Sequence, residues 1–378
     1  MIRELPEFPW SVLAPVRERA LRHPGGVVNL ALGTPVDPVP DVVQRAVRAC
    51  TDTPGHPATE GTPRLRAAAA GYLRRRFGVT VEPSAVLPVV GTKEAIAWLP
   101  AALGLGAGDR VAYPALSFPT YDVSARLAGA ESVPVDVHHG LPAPARLLWL
   151  NSPGNPDGRV LGVARLRELV AWGRANDVIV VNDECYLEHA WDVPATSILH
   201  PDVCGGSHTG VLAVHSLSKR SNLAGYRAGF VTGDETLVRR LLEVRRHAGL
   251  IMPEPIAAGT TAALEDDTHV DEQRGRYLRR RDKLRAALEG AGLRVEHSEA
   301  SLFLWCTRDE PCWDTVMFLA GLGILVAPGV FYGDPGHAHV RVALTATDER
   351  VDAAVERLST VRPGTRPAVP LSAEEVTA

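Results

Sequence analysis

The 378-residue sequence has few cysteines, no long uninterrupted apolar run and almost no net charge, and each lack removes a class of protein. Its five cysteines, Cys50, Cys185, Cys204, Cys306 and Cys312, are odd in number and scattered. No C-x-x-C pair of the kind that grips zinc is present, so no metal is expected, and a reducing, cytoplasmic setting fits best. The start, Met1 to Leu13, carries charges and prolines where a signal peptide needs an apolar stretch. The most apolar segment, Ala95 to Leu105, is about half a membrane span and is interrupted by Pro100 and Gly104. A buried helix is expected there, and no membrane partner. A formal charge of −4 leaves no basic surface for nucleic acid. There is no internal repeat.

What is present suits a globular α/β protein. The length exceeds the size at which one core stops growing, so two packed domains are expected. Short β-branched runs recur at Val86–Val90, Arg110–Ala112, Leu147–Leu150, Val178–Val181, Val211–His215 and Ala228–Thr232. Helix-length amphipathic segments, among them Val163–Arg174 and Leu237–His247, separate several of them, which predicts a largely parallel sheet. From about Asp266 the pattern changes to a long charged helix, Asp271 to Glu289, strands near Leu302–Cys306 and Val340–Leu344, and a helix from Asp348. The reading is a proline-rich N-terminal segment (1–40) packed on the smaller domain, a large domain (41–265), a small α+β domain (266–361) and a frayed tail (362–378).

The chemistry is concentrated in a few segments. Val214 to Phe230 reads V-H-S-L-S-K-R-S-N-L-A-G-Y-R-A-G-F directly after a strand. Ser216 and Ser218 can donate to phosphate oxygens, Arg227 can fork onto two of them, and the Lys219 amine can reach a neighbouring aldehyde. Burial beside other cations lowers a lysine pKa toward what nucleophilic attack needs. A lysine between serines is, by itself, most often a solvated loop residue; its company decides. N-S-P-G-N-P-D-G at Asn151–Gly158 and N-D-E-C-Y at Asn182–Tyr186 each follow a strand, at the sheet edge where open α/β sheets bind ligands. A buried Asp183 carboxylate can pair with a protonated ring nitrogen, while Asn155 and Tyr186 can hydrogen-bond a phenolic oxygen on that ring. N-P-D-G alone would be only a turn. Gly91-Thr92-Lys93-Glu94 opens a helix after a strand and aims N–H groups at an anion. Phe118, in S-F-P-T-Y, can stack on a flat cofactor or pack in the core.

The order of these segments resembles the class I/II, fold-type I aminotransferases that use pyridoxal 5′-phosphate (PLP), over nearly the whole chain. The resemblance rests on S-x-S-K with an arginine eight residues on (Ser216, Ser218, Lys219, Arg227), on N-P-x-G (Asn155 to Gly158) and on D-x-x-Y (Asp183, Tyr186). It implies a large domain with a mostly parallel, seven-stranded type of sheet and a smaller α+β domain. It further implies PLP bound to Lys219 as a Schiff base, with Thr92 and Lys93 at the phosphate. Arg341, in H-V-R-V-A-L, is implied to bind the substrate carboxylate, and Gly33, in A-L-G-T-P, to contact the same group. A homodimer is implied too, with His56 near the partner's phosphate.

A narrower resemblance is to actinobacterial N-succinyldiaminopimelate aminotransferases, through F-P-W at Phe8–Trp10, G-T-P-V-D-P-V at Gly33–Val39 and V-R-V-A-L-T-A-T-D-E-R near the C-terminus. Against their pattern this chain has His56 in place of a tyrosine, Asp157 within N-P-D-G, Phe118 in place of a tyrosine, and Glu254-Pro255-Ile256-Ala257 where relatives carry P-x-Q. These departures are expected to mark a changed pocket. They leave open a rival chemistry, elimination at Cγ with carbon–carbon bond formation on a donor such as S-adenosylmethionine. PLP-binding transcription regulators share the fold, but the thirty-odd residues before Gly33 leave no room for their DNA-binding domain.

Overall fold

The computed structural model describes residues 5–6, 9–141 and 143–361. The expectations placed on Phe8 and on the tail 362–378 lie outside the described residues. Seven strands form the central sheet in the spatial order Val86–Val90, Ala228–Gly233, Val211–Ser216, Ile179–Asp183, Leu147–Asn151, Arg110–Pro114, Glu131–Val135. All neighbours are parallel except Ala228–Gly233, which runs antiparallel to both of its partners. Parallel strands are covered by crossover helices on both faces and so read as continuous apolar runs; Leu147, Leu148, Trp149 and Leu150 are fully buried. The two faces carry separate apolar clusters, one around Leu148, Val180 and Ala213, the other around Leu147, Val181 and Leu212.

Two elements escape the periodicity. The edge strand Glu131–Val135 contains Pro134 and has no fully buried residue; an edge tolerates a missing ladder donor where a central strand does not. In the proline-rich N-terminus, Ala14–Leu21 is a helix because Pro15 stands in its first turn, where a lacking N–H breaks no helical bond. That helix packs on Cys312–Gly321, and Val28–Asn29 pairs in parallel with Ile324–Leu325.

The C-terminal sheet is antiparallel, in the order Ala327–Pro328, His339–Ala343, Phe303–Thr307, Arg294–Glu296. The charged helix runs Thr268–Gly290, and its Arg280 is the clamp of this region. Buried at 2% exposure, Arg280 holds both Asp37 oxygens at 2.7 Å and Asp348 Oδ1 at 2.7 Å. Gln273 Nε2 also donates to Asp37 at 2.7 Å. The clamp fixes the loop that carries Gly33, which brings an N-terminal segment to the mouth of the central sheet.

His189 illustrates the acid sensitivity such burial builds in. It lies between Tyr186, Trp191 and Tyr277, and burial holds its pKa down at about 3, with Arg274 and Lys219 adding repulsion. Its folded pKa is below the unfolded value of about 6.5, so the unfolded chain binds the extra proton. Stability is therefore lost as pH falls from about 6.5 toward 3. The parent should lose about 1.4 kcal/mol per pH unit relative to His189→Phe between pH 6 and 4. Denaturant titrations of both proteins at each pH check this; parallel pH profiles would refute it.

Candidate active site

The strands ending at Asn151, Asp183 and Ser216 are neighbours in register and point the same way, so the turns that follow them meet at one sheet edge. There they bound a cavity of about 510 Å³. Of the thirteen residues singled out from the sequence, twelve line it: Gly33, Thr92, Lys93, Phe118, Asn155, Asp183, Tyr186, Ser216, Ser218, Lys219, Arg227 and Arg341. His56 does not; it is exposed in a loop elsewhere on the chain.

Lys219 sits on a single helical turn, Leu217–Arg220, capped by Ser216, whose Oγ accepts from the Ser218 N–H at 3.1 Å. Its Nζ donates to the Gly33 carbonyl oxygen. Desolvation lowers its pKa to about 8, and the charges of Arg341 and Arg227 push the same way against the opposing influence of Cys185. Near neutral pH an appreciable fraction of the amine is then unprotonated and nucleophilic.

Asp183 is 5% exposed. Its Oδ2 accepts from Tyr121 O–H at 2.8 Å and its Oδ1 from the Cys185 N–H at 3.1 Å. Both donors are neutral, and burial raises the carboxyl pKa above the usual range. A cationic N–H on a bound ring supplies the counter-charge that this geometry lacks. Tyr121 in turn is fixed by stacking on Trp149, with centroids 5.3 Å apart.

The other end of the cavity is built for an anion. Helix Thr92–Ala102 begins at Gly91, whose φ of 78° is left-handed. The Arg227 guanidinium lies against that glycine, and a Cβ there would stand 2.2 Å from Nη2. Lys93, in the same first turn, has its pKa lowered by desolvation and by Arg227. Two mutually repelling cations, a helix N-terminus and the hydroxyls of Ser216 and Ser218 fit a phosphate dianion. Phe118 flanks the space between the two ends, edge-on to Tyr121 at 6.2 Å, with Lys93 Nζ 5.6 Å from its centroid.

Arg341 is the third charged feature, 4% exposed and paired with no carboxylate among the described residues. Its Nη1 donates to Asn155 Oδ1 at 2.8 Å, its Nη2 to the Ala31 carbonyl at 2.7 Å, and its Nε has no hydrogen-bond partner among the described residues. Phe303 and Tyr332 lie 3.9 and 4.8 Å from the guanidinium carbon. A buried, uncompensated guanidinium is costly unless an anion joins it. Phe303 also explains Gly33, where a Cβ would come within 2.7 Å of its ring. Because the Asn155 oxygen faces Arg341, its amide nitrogen is the end that suits a phenolate oxygen.

Only one of the four departures expected to reshape the pocket lines the cavity. Phe118 does. Asp157 is buried in its own turn, accepting from the Arg159 N–H at 3.2 Å, and Ala257 is buried in the helix Glu254–Glu265. Asp157 and Ala257 were misplaced because sequence distance from a motif is not distance from a cavity. Tyr121, Phe303 and Trp10, which also line it, were missed. Tyr121 was the findable one, three residues after Phe118 at the start of a helix; Phe303 read only as part of a strand and Trp10 only as part of the F-P-W motif.

Gly91→Ala should displace Arg227 and weaken PLP binding roughly 10- to 100-fold, the scale of one charged hydrogen bond, while leaving the thermal midpoint of the cofactor-free protein within a few degrees. Fluorescence titration of the apoprotein checks this; unaltered affinity would remove Arg227 from the anion site.

Residues 25–358 match the model of the family "Aminotransferase class I and II". The 4-dedimethylamino-4-oxo-anhydrotetracycline transaminase OxyQ of Streptomyces rimosus is 64% identical over 359 residues, covering 95% of this chain and 100% of its own. Probable aminotransferase Rv1178 of Mycobacterium tuberculosis is 57% identical, over 94% of this chain and 85% of its own. Among solved structures, an aminotransferase from Neisseria meningitidis Z2491 superposes with a TM-score of 0.83 at 28% identity, covering 96% of this chain and 99% of its own. This chain belongs to the class I and II aminotransferases, whose cofactor is pyridoxal phosphate.

Proposed function

We propose that the chain transfers the amino group of an α-amino acid to the carbonyl carbon of a bulky, largely apolar ring ketone, the donor leaving as its 2-oxo acid and the acceptor as an amine. One observation carries the choice of acceptor. A second cavity of about 520 Å³ adjoins the first and shares Trp10, Lys93, Phe118 and Arg341 with it. Its further walls include Tyr113, Val330, Phe331 and Tyr332. Aromatic faces of this kind suit a flat hydrophobic substrate. The name of the Streptomyces relative gives a 4-oxo-anhydrotetracycline as its substrate, a ketone on a four-ring skeleton. N-succinyldiaminopimelate, the alternative suggested by sequence motifs, carries further carboxylates. The walls of the second cavity present Asp122 to them, and the cations Lys93 and Arg341 are shared with the first cavity.

In this reading PLP, when bound, supplies the electron-withdrawing ring that makes the donor's Cα–H acidic. Arg341 grips the donor carboxylate and sets the Cα–H toward Lys219. The Lys219 amine, its pKa lowered to about 8 by burial so that an unprotonated fraction is available, takes that proton and returns it on the other side of the transfer. Asp183 holds the ring nitrogen protonated, and the Tyr121 hydroxyl keeps the carboxylate in place. Phe118, in the cavity wall, would flank the ring and exclude water. Borohydride reduction of the loaded enzyme followed by peptide mapping should place PLP on Lys219.

The acceptor test offers three substrates separately: a polycyclic aryl ketone with glutamate, N-succinyldiaminopimelate with 2-oxoglutarate, and S-adenosylmethionine alone. The ring ketone should be preferred over the second by about 100-fold in kcat/KM, which corresponds to burying on the order of 100 Å² of apolar surface. Phe331→Ser should erase most of that preference. Efficient turnover of N-succinyldiaminopimelate without the ring ketone would overturn the acceptor assignment; release of methylthioadenosine that depends on Lys219 would overturn transamination as the native reaction. We also propose a twofold homodimer in which the His56 loop serves the partner's site. Sedimentation should show a dimer, and a fully active monomer would exclude it.

A further inference from the structure

Directly behind the active site is a further, much smaller chamber of about 10 Å³, room for one water molecule. Its polar walls are the chain neighbours of the site residues: Glu184 follows Asp183, His215 precedes Ser216, and Arg220 follows Lys219. Glu188 completes it. Cys185 and Ser216 line both cavities and so form the partition between them. All four polar residues are at most 8% exposed.

Five of their polar atoms have no hydrogen-bond partner among the described residues: Glu184 Oε2, Glu188 Oε1, His215 Nε2, and Arg220 Nε and Nη2. The rest of each group is well satisfied. Glu184 Oε1 accepts from Ile198 N–H at 2.7 Å, Asn182 Nδ2 at 3.0 Å and Ser197 Oγ at 3.2 Å. Glu188 Oε2 accepts from Arg76 Nη2 at 2.8 Å. Arg220 Nη1 donates to Ser221 Oγ at 3.1 Å and to the Ala263 carbonyl at 3.0 Å, with its guanidinium 4.5 Å from the Tyr72 ring centre. The loose ends approach without touching: His215 Nε2 is 3.4 Å from Glu184 Oε2, and Arg220 Nε is 3.8 Å from Glu188 Oε1. Buried polar groups left unsatisfied are each destabilising, so a partner is called for.

We propose that one water molecule occupies this chamber as a permanent part of the fold, and that Glu184 and Arg220 act through it as positioning residues for Asp183 and Lys219. The donor and acceptor count closes. Arg220 Nε–H and Nη2–H donate to the water oxygen, and the water donates to Glu184 Oε2 and Glu188 Oε1, four bonds in all. His215 Nε2 shares the remaining contact with Glu184. The other ionisable or charged groups facing the chamber are Tyr72 and Arg76, from Pro63–Phe77, and Cys185. Burial keeps Glu184 protonated up to about pH 7 and His215 neutral down to about 3, so the cluster avoids a buried surplus of charge. Through the water, the turn after Asp183 is tied to the turn that bears Lys219, and neither can shift alone.

Crystals of the unmodified protein, with and without PLP, should show one ordered water with four contacts in this chamber. Arg220→Met should lower kcat about 10- to 100-fold, the cost of about an ångström of misplacement, with KM for the amino donor changed less than twofold. Arg220→Lys, which keeps one donor, should recover part of kcat. A chamber without density at a resolution where buried waters are seen would overturn the proposal regardless of the variants. Arg220→Met with parental kcat would overturn the positioning role.

Discussion

The active site depends on two charges that the protein buries with no ionic partner among the described residues, Arg341 and Asp183. Arg341 has no carboxylate partner among the described residues, Asp183 is held by neutral donors, among them the Tyr121 hydroxyl and the Cys185 N–H, and the more exposed Arg227 and Lys93 repel one another at the head of a helix. Each is unfavourable in the protein alone. A ligand with a phosphate at one end, a protonated ring nitrogen at the other and a carboxylate beside it relieves all of them together. The site is therefore a mould of its ligand in electrostatic terms, and the price in stability is met by the two apolar clusters that sandwich the sheet.

Geometry then limits how the mould is built. Three parallel strands deliver Asn151, Asp183 and Ser216 to one edge, so a set of short turns is enough to place the chemistry. The one antiparallel strand of the central sheet, Ala228–Gly233, carries Arg227 back from the far side immediately before it, which is how a residue eight positions after Lys219 lines the same cavity. Gly33 arrives from the N-terminus on a segment held by Arg280 at Asp37, four residues on, and by Arg341 and Thr345 at the Ala31 and Leu32 carbonyls. A carbonyl contributed this way, accepting from Lys219, helps hold the amine pointing into the cavity.

Much of this was legible in the sequence, for a physical reason. Phosphate cups, ring-nitrogen partners and Schiff-base lysines need particular residue types at fixed offsets after strands, so twelve of thirteen singled-out residues line one cavity. The parallel strands were legible because burial on both faces leaves unbroken apolar runs. The edge strand with Pro134 and the helix beginning at Ala14 were not, since edges and first turns tolerate residues that usually break structure. Asp157 and Ala257 mislead in the opposite direction: each is unusual within a motif, yet Asp157 serves its own turn and Ala257 the packing of a helix.

What stayed hidden is the layer of residues that touch the site residues. Tyr121 reaches Asp183 across 62 positions of sequence, and Asn155 reaches Arg341 across 186. No local pattern encodes such pairs, because they are set by how strands and helices pack and not by offsets within a turn. The same holds behind the partition formed by Cys185 and Ser216. Glu184, His215 and Arg220 read as flanking residues of the motifs, and only folding shows that they line one small chamber with unsatisfied atoms. Residues adjacent in sequence to catalytic groups thus face away from the ligand and toward each other. In a tightly packed interior a polar group facing away must still find a partner, so the back of an active site is constrained almost as strongly as its front.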